Sequence, residues 1–174
     1  MALLRPDRYV QTVADLDPAQ LADEGVRLVL LDMDNTIVPR DTGALRDDAR
    51  QWITELQAKG IEIALVSNNW AKNVRPIARE IGAVFISRSA KPLPIAFILL
   101  RTQRKLTRAQ TIVVGDQLFT DMLGAKLAGL RGMMVLPQAK KDLVHTLALR
   151  PIEAWFMGYM RPEGNTDHHG ESDR

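Results

Sequence analysis

Residues 26–36 read Val26-Arg27-Leu28-Val29-Leu30-Leu31-Asp32-Met33-Asp34-Asn35-Thr36. The apolar part, 26–31, has the length of one strand and too little polar alternation for a sheet with a wet face. Four more short, largely apolar runs follow, at 61–66, 83–86, 111–114 and 133–136. Helical patterns lie between them. Leu45, Ala49, Trp52, Ile53 and Leu56 fall on one helical face, and Lys59-Gly60 reads as a basic last turn with a glycine stop. Similar helices are expected at about 72–81, 92–105, 119–128 and 141–148. Strand alternating with helix five times predicts an α/β fold: a Rossmann-like three-layer sandwich around a mainly parallel sheet.

The chain of 174 residues leaves room for one domain, expected over 1–162. The polar stretch 163–174, with four acids and one arginine, reads as a disordered tail. Cysteine is absent, which excludes a disulfide framework, a thiol nucleophile and a thiolate metal site. With 23 Lys and Arg against 21 Asp and Glu, no basic footprint for nucleic acid stands out. The opening residues lack a signal-peptide pattern, and no run approaches the ~18 apolar residues of a membrane span. A soluble, cytoplasmic protein is expected, with peripheral membrane contact left open and the oligomeric state undetermined.

In open parallel sheets ligands gather beyond the carboxyl ends of the strands. After the first run comes Asp32-Met33-Asp34-Asn35-Thr36; after the second, Ser67-Asn68-Asn69; Lys91-Pro92 precedes a helix; and after the fourth run comes Gly115-Asp116-Gln117-Leu118-Phe119-Thr120-Asp121. This inventory suits phosphoryl transfer. A carboxylate attacks phosphorus only when anionic repulsion is offset, which calls for Mg²⁺ on oxygen ligands and for a lysine at the equatorial oxygens. Asp32, Asp116 and Lys91 meet those needs. Two acids two residues apart can point the same way, so Asp32 can attack while Asp34 protonates the leaving alkoxide and later deprotonates water.

In order and topology these residues resemble the four motifs of the haloacid dehalogenase-like (HAD) phosphatases. The opening Leu4-Arg5-Pro6-Asp7, the Asp34-Asn35-Thr36 form of the first motif and the segments 67–69 and 115–121 look like the YqeG-type branch, subfamily IIIA. That branch includes the mitochondrial phosphatidylglycerophosphate phosphatase. The resemblance covers about residues 4–150 and implies a nucleophilic Asp32 forming an aspartyl-phosphate, with Asp34 as general acid/base and its backbone carbonyl on the metal. It implies Mg²⁺ on Asp32, Asp34 and Asp116, and a phosphoryl group held by Ser67, the amide of Asn68 and Lys91. Thr36 and Asp121 would support the site, Asp121 by orienting Lys91 or a metal-bound water.

Asp32 and Ser67 are 35 residues apart, Ser67 and Lys91 24, and Lys91 and Asp116 25. Each interval holds about one helix and one strand, so the inserted cap domain of many HAD enzymes has no room. An open site suits a phosphate on a large body that itself excludes water: a lipid headgroup, a protein or a glycan.

Asp41 and Asp47 read as turn or cap residues. A calcium loop starting at Asp32 needs glycine sixth and glutamate twelfth, where Ile37 and Gly43 stand. Neither a GxxxxGK(S/T) loop nor a GxGxxG fingerprint occurs. His145 reads as a helix-face residue, and His168 and His169 lie in the polar tail without metal partners. The stretch 152–160, with Trp155, Phe156, Met157, Tyr159 and Met160, either closes the core or meets a membrane, and Arg101, Arg104, Lys105 and Arg108 either attract anionic lipid or form a solvated face.

The expected function is a Mg²⁺-dependent phosphomonoesterase acting on a large or membrane-displayed substrate such as phosphatidylglycerophosphate. A phosphoprotein or phosphorylated glycan is the alternative substrate. A partner-binding protein retaining the HAD fold is the alternative from another class. A phospho-accepting receiver would carry its aspartate after the third strand, whereas Ile86 is followed by Ser87-Arg88-Ser89.

Overall fold

Leu28–Leu31, buried at every position, is the strand around which the sheet is built, hydrogen-bonded to a parallel neighbour on each side. The structure, a computed structural model, describes residues 4–138. Its six strands are β1 (Arg8–Val10), β2 (Leu28–Leu31), β3 (Glu62–Val66), β4 (Val84–Ile86), β5 (Thr111–Gly115) and β6 (Arg131–Val135). They form one parallel sheet in the order β1-β6-β5-β2-β3-β4. The helices are α1 (Pro18–Asp23), α2 (Asp47–Ala58), α3 (Ala71–Glu80), α4 (Ile95–Gln103) and α5 (Leu123–Leu127).

Alternation along each strand divides the core into two layers. Val29 and Leu31 face Trp52, Ile53 and Leu56 of α2 and Val74 and Ile77 of α3. Leu28 and Leu30 face Phe97 and Leu100 of α4 and Ala125 of α5. Each fully buried leucine or isoleucine contributes roughly 1.5–3 kcal/mol. Trp52 also satisfies its indole N–H, which donates to the Leu16 carbonyl at 2.7 Å. The α/β sandwich is as the sequence predicts. The interval from Asp32 to Ser67 contains α2 and β3, the next contains α3 and β4, and the third contains α4 and β5, with no inserted domain in any of them.

Two elements differ from the sequence reading and three are added. The helix expected from residue 92 begins only at Ile95, because Pro92 and Pro94 hold the chain in a turn, with the Leu93 amide donating to Ala90. The helix expected over 119–128 opens as a π-helical turn, Leu118–Met122, before α5. The additions, β1, a 3₁₀ turn at Val13–Asp15 and α1, precede the first run. With β1 counted, the third strand is β3, and it too is followed by a serine, Ser67, rather than an acid. The helix expected at 141–148, the aromatic stretch 152–160, the tail 163–174 and all three histidines lie outside the described residues. Among the described residues no helix is long and apolar enough to cross a membrane.

Strand order reverses at β2. The chain runs outward through β3 and β4, then returns to place β5 on the other side of β2. That reversal opens a crevice beyond the carboxyl ends of β2 and β5.

Candidate active site

Asp32 is the first residue past β2, and its amide still donates to Val114 of β5 at 2.9 Å. The chain then tightens: the amides of Thr36, Ile37 and Val38 all converge on the Met33 carbonyl at 3.3, 3.1 and 3.0 Å. Asn35 takes a left-handed φ of 62°, and its side-chain oxygen accepts the Arg40 amide. Met33 is buried in the core while Asp32 and Asp34, on either side of it, both border a small chamber of about 40 Å³. The two-residue spacing therefore does put both carboxylates on one side.

Lys91 reaches the same chamber from the turn before α4. Its backbone is gripped by the Asn68 side chain: the Lys91 amide donates to Asn68 Oδ1 at 2.8 Å, and Asn68 Nδ2 donates to the Lys91 carbonyl at 3.1 Å. Ser89 adds its hydroxyl to the same Oδ1 at 2.9 Å. So held, the buried Lys91 ammonium donates to Asp32 Oδ1 at 2.5 Å and to Asp121 Oδ1 at 2.6 Å. Asp121 comes from the π-helical turn, anchored by buried Leu118 and Met122, and its Oδ2 accepts the Gln117 amide at 3.2 Å. A β-carbon at position 115 would overlap the Asp121 carboxyl group, which is why β5 must end in glycine.

Asp116 follows that glycine. The Thr36 hydroxyl lies 3.4 Å from Asp116 Oδ1 and 3.3 Å from Asp32 Oδ2, and one hydroxyl proton serves only one of them at a time. Oxygens of Asp32, Asp116 and Asp121 all lie within 4.8 Å of one another. Three buried acids thus share one ammonium. Burial raises the Asp116 pKa well above the carboxylate range, and the charges of Asp32 and Asp121 raise it further against Lys91 and Arg40. Asp121 is pushed up to about 6 by burial, opposed by Lys91. Burial works against the Lys91 charge, but Asp121 and Asp32 outweigh it and move its pKa upward.

The donor set fits a hard divalent cation. All its groups are oxygens, their summed charge exceeds that of Lys91, and Asp116 has only the long bond from Thr36 among the described residues. Asp121, with both oxygens taken by Lys91 and Gln117, is bound into the protein instead.

Asp34, lining the same chamber, accepts from Ser67 Oγ at 3.3 Å and from Asn69 Nδ2 at 3.1 and 3.2 Å. Its pKa is raised by burial first and by the Asp32 charge second, with Asn69, Arg40 and Ser67 pulling the other way. Ser67 Oγ also accepts the Asn69 amide at 3.0 Å, and the Asn68 N–H has no partner among the described residues. The structure therefore brings Asp32, Asp34, Thr36, Ser67, Asn68, Lys91, Asp116 and Asp121 together.

Four participants carried no role in the sequence reading: Asn69, which orients Asp34, and Arg40, Gln117 and Thr120, which border the chamber. The Asn68-Asn69 pair after a strand was the available signal for the first. The cluster of Arg101, Arg104, Lys105 and Arg108 lies elsewhere. Arg104 pairs with Glu62 at the start of β3, and Arg101 donates to the Leu106 carbonyl, at the amino end of the sheet.

The family model described as haloacid dehalogenase-like hydrolase matches residues 10–129. Among named proteins, "Probable phosphatase YqeG" of Bacillus subtilis (strain 168) is 29% identical over 160 residues, 92% of this chain and 93% of that one. Among solved structures, 4-nitrophenylphosphatase from Thermotoga maritima superposes with a TM-score of 0.53 at 13% identity, over 72% of this chain and 90% of that one. An uncharacterized protein from Listeria monocytogenes serotype 4b does so with 0.52 at 16% identity, over 76% and 99%. At these identities the two structures speak for the fold alone.

Proposed function

Since the chain belongs to the haloacid dehalogenase-like hydrolases and is a phosphatase, we propose that it cleaves phosphomonoesters through an aspartyl-phosphate on Asp32, with Mg²⁺, and that its substrate is large or membrane-held, with phosphatidylglycerophosphate the leading candidate. The observation that carries this reading is the Lys91 ammonium between Asp32 and Asp121, with Asp34 lining the same small chamber.

Asp32 attacks phosphorus through a carboxylate oxygen as the ester P–O bond breaks, and Asp34 delivers its proton to the departing alkoxide. Its raised pKa keeps more of that proton in place than an ordinary carboxyl would. Water then attacks the same phosphorus from the Asp34 side. Asp34 takes the proton back, and the bond to Asp32 breaks, freeing inorganic phosphate and the carboxylate. Lys91, Ser67 and the Asn68 N–H hold the equatorial oxygens during both displacements. Asp32, Asp116 and the backbone carbonyl of Asp34 would hold Mg²⁺, which supplies the positive charge that lets an anionic nucleophile approach an anionic ester.

Absence of an inserted domain between the motifs supports a bulky substrate, since nothing else of this chain's described residues covers the strand ends. The entrance supports a membrane surface. Trp70 follows the Ser67-Asn68-Asn69 turn, Leu93 and Ile95 follow Lys91, and all three are more than half exposed. The Arg88 guanidinium lies 4.6 Å from the Trp70 ring centre, an aromatic and a cation side by side as at a headgroup boundary.

Phosphate release from phosphatidylglycerophosphate in mixed micelles, with and without Mg²⁺, tests the reading against para-nitrophenyl phosphate. We expect Mg²⁺-dependent release that exceeds the small-ester rate and falls by on the order of 10⁴-fold or more in Asp32→Asn. Hydrolysis of the small ester alone would remove the lipid and direct attention to phosphoproteins or phosphorylated glycans. No turnover of any ester would favour a binding protein on a phosphatase fold.

A further inference from the structure

The 40 Å³ chamber opens beside a much larger groove of about 760 Å³, and the two share Asp34, Arg40 and Asn68. The shared wall places the groove on the Asp34 side of the chamber. If Asp34 protonates the departing oxygen, as proposed above, the alcohol part of the ester lies in this groove.

Its composition is uneven. Val38 and Pro39 form one flank and Pro76 and Ile77 of α3 the other, giving apolar walls. Two cations, Arg40 and Lys72, border it, and neither makes an ion pair with a described residue. Asp34 is the groove's single carboxylate, and Ser67 and Asn69 already hold it. Arg40 stands at the junction, half-buried, its backbone fixed by the Asn35 side chain, while Lys72 is exposed on the first turn of α3. The chamber's own anions are matched by Lys91 and the cation site. Arg40 lends a longer-range charge to Asp34 and Asp116 but, like Lys72, closes no salt bridge among the described residues, so both can pair with an anionic group on the departing alcohol, whereas a neutral alcohol gives them nothing to bind.

We propose that this groove is the leaving-group subsite and that Arg40 and Lys72 select phosphomonoesters whose alcohol carries a second anionic group on an apolar body. This rests on the phosphatase reading given above. Arg40, bordering both spaces, orients the ester across the junction. Lys72 contributes charge farther along the groove, where an exposed ammonium on a flexible stem adapts to different spacings.

Two esters differing by one charge test it: 4-carboxyphenyl phosphate against phenyl phosphate, measured as kcat/KM with Mg²⁺. The wild type is expected to prefer the carboxylated ester by about tenfold, the size of a charge-assisted hydrogen bond. The preference should shrink with rising salt, fall to near unity in Arg40→Gln/Lys72→Gln, and be largely restored by Arg40→Lys/Lys72→Arg. Calorimetric binding of both esters to Asp32→Asn reads the same preference without turnover. Preferential binding with no turnover by the wild type would remove the proposed hydrolysis and support the subsite. Equal kcat/KM, equal binding, failure of Asp32→Asn to bind the carboxylated ester, or a preference that survives the double glutamine variant would overturn the subsite, and turnover at equal kcat/KM would leave the hydrolysis standing.

Discussion

The two ends of the same sheet handle charge in opposite ways. At the amino ends of the strands, cations and anions pair one to one: Arg104 with Glu62 at the start of β3, and Arg131, the first residue of β6, with Glu24. At the carboxyl ends of β2 and β5, Asp32, Asp116 and Asp121 are buried around Lys91 alone. The first pattern is neutral, and its Arg131–Glu24 pair is about one-third exposed, so that pair could be lost with little consequence. The second is neither neutral nor wet. Charge taken out of water and left unbalanced weakens the fold unless something positive arrives, so the cost of the cluster is also its affinity for a divalent cation.

Breaking the buried side of this comparison should have the largest effect. In Lys91→Met the buried Asp32 and Asp121 lose the cation they are paired with, and removing one partner of a buried pair costs about 3–5 kcal/mol. Urea unfolding without added metal would read it as a lower midpoint, together with loss of turnover. A midpoint equal to wild type would mean that the ammonium does not offset the acids.

Next comes Asp116→Asn. Because the folded pKa of Asp116 lies above its unfolded value, the native state holds its proton more tightly, and stability falls as pH rises through that raised range. The asparagine variant escapes this fall and should melt higher than wild type near pH 7 in the absence of metal. Mg²⁺ at ~100 times its dissociation constant adds about 2.7 kcal/mol, roughly 5–10 °C in a domain of this size, to wild type and far less to the variant. A variant that melts lower without metal and gains as much with it would dissolve the contrast between the two ends.

Asn69→Leu sharpens the comparison within the site. The amide N–H groups of Asn69 favour the charged form of Asp34, so their loss moves the pKa of Asp34 further up. The alkaline fall in kcat for esters with poor leaving groups should shift to higher pH, and a pH profile that does not move would take Asn69 out of the acid/base function. The smallest effect belongs to the other end, where Arg131→Met should change stability by less than about 1 kcal/mol and leave turnover alone.

How much of this was legible in the sequence depended on how much signal each element carried. Five strands announced themselves because each is an apolar run, and the acids, amide, hydroxyl and lysine could be found by looking just past their ends. β1 could not. It has three residues, begins with a half-exposed arginine and pairs only at the edge with β6, so no periodicity forms. α1 was signalled, by Asp17-Pro18, the side-chain cap and first-turn proline of a helix start, but its six residues bury only Pro18 and Leu21 and leave no amphipathic stripe. Within the site the residue types were legible and the partners were not. That Lys91 bridges Asp32 and Asp121, or that Asn68 grips the Lys91 backbone while Asn69 turns to Asp34, depends on rotamers and on a turn between residues 88 and 91 with two left-handed residues, Arg88 and Ala90. Arg40 and Lys72 gave no signal because two isolated basic residues, far apart in sequence, meet only across the folded groove.

The placement of β2 between β3 and β5 has a consequence for the chain while it is being synthesised. β3 follows β2 at once, but β5 is made about eighty residues later. Until the ribosome has released Thr111–Gly115, β2 has a bare edge, Asp32 has no Asp116 beside it, and the Lys91 ammonium lacks Asp121. A nascent chain therefore has Asp32 and Lys91 without Asp116, the acid that completes the cation site, and without Asp121, the acid that holds the lysine, and both arrive with β5 and the turn that follows it.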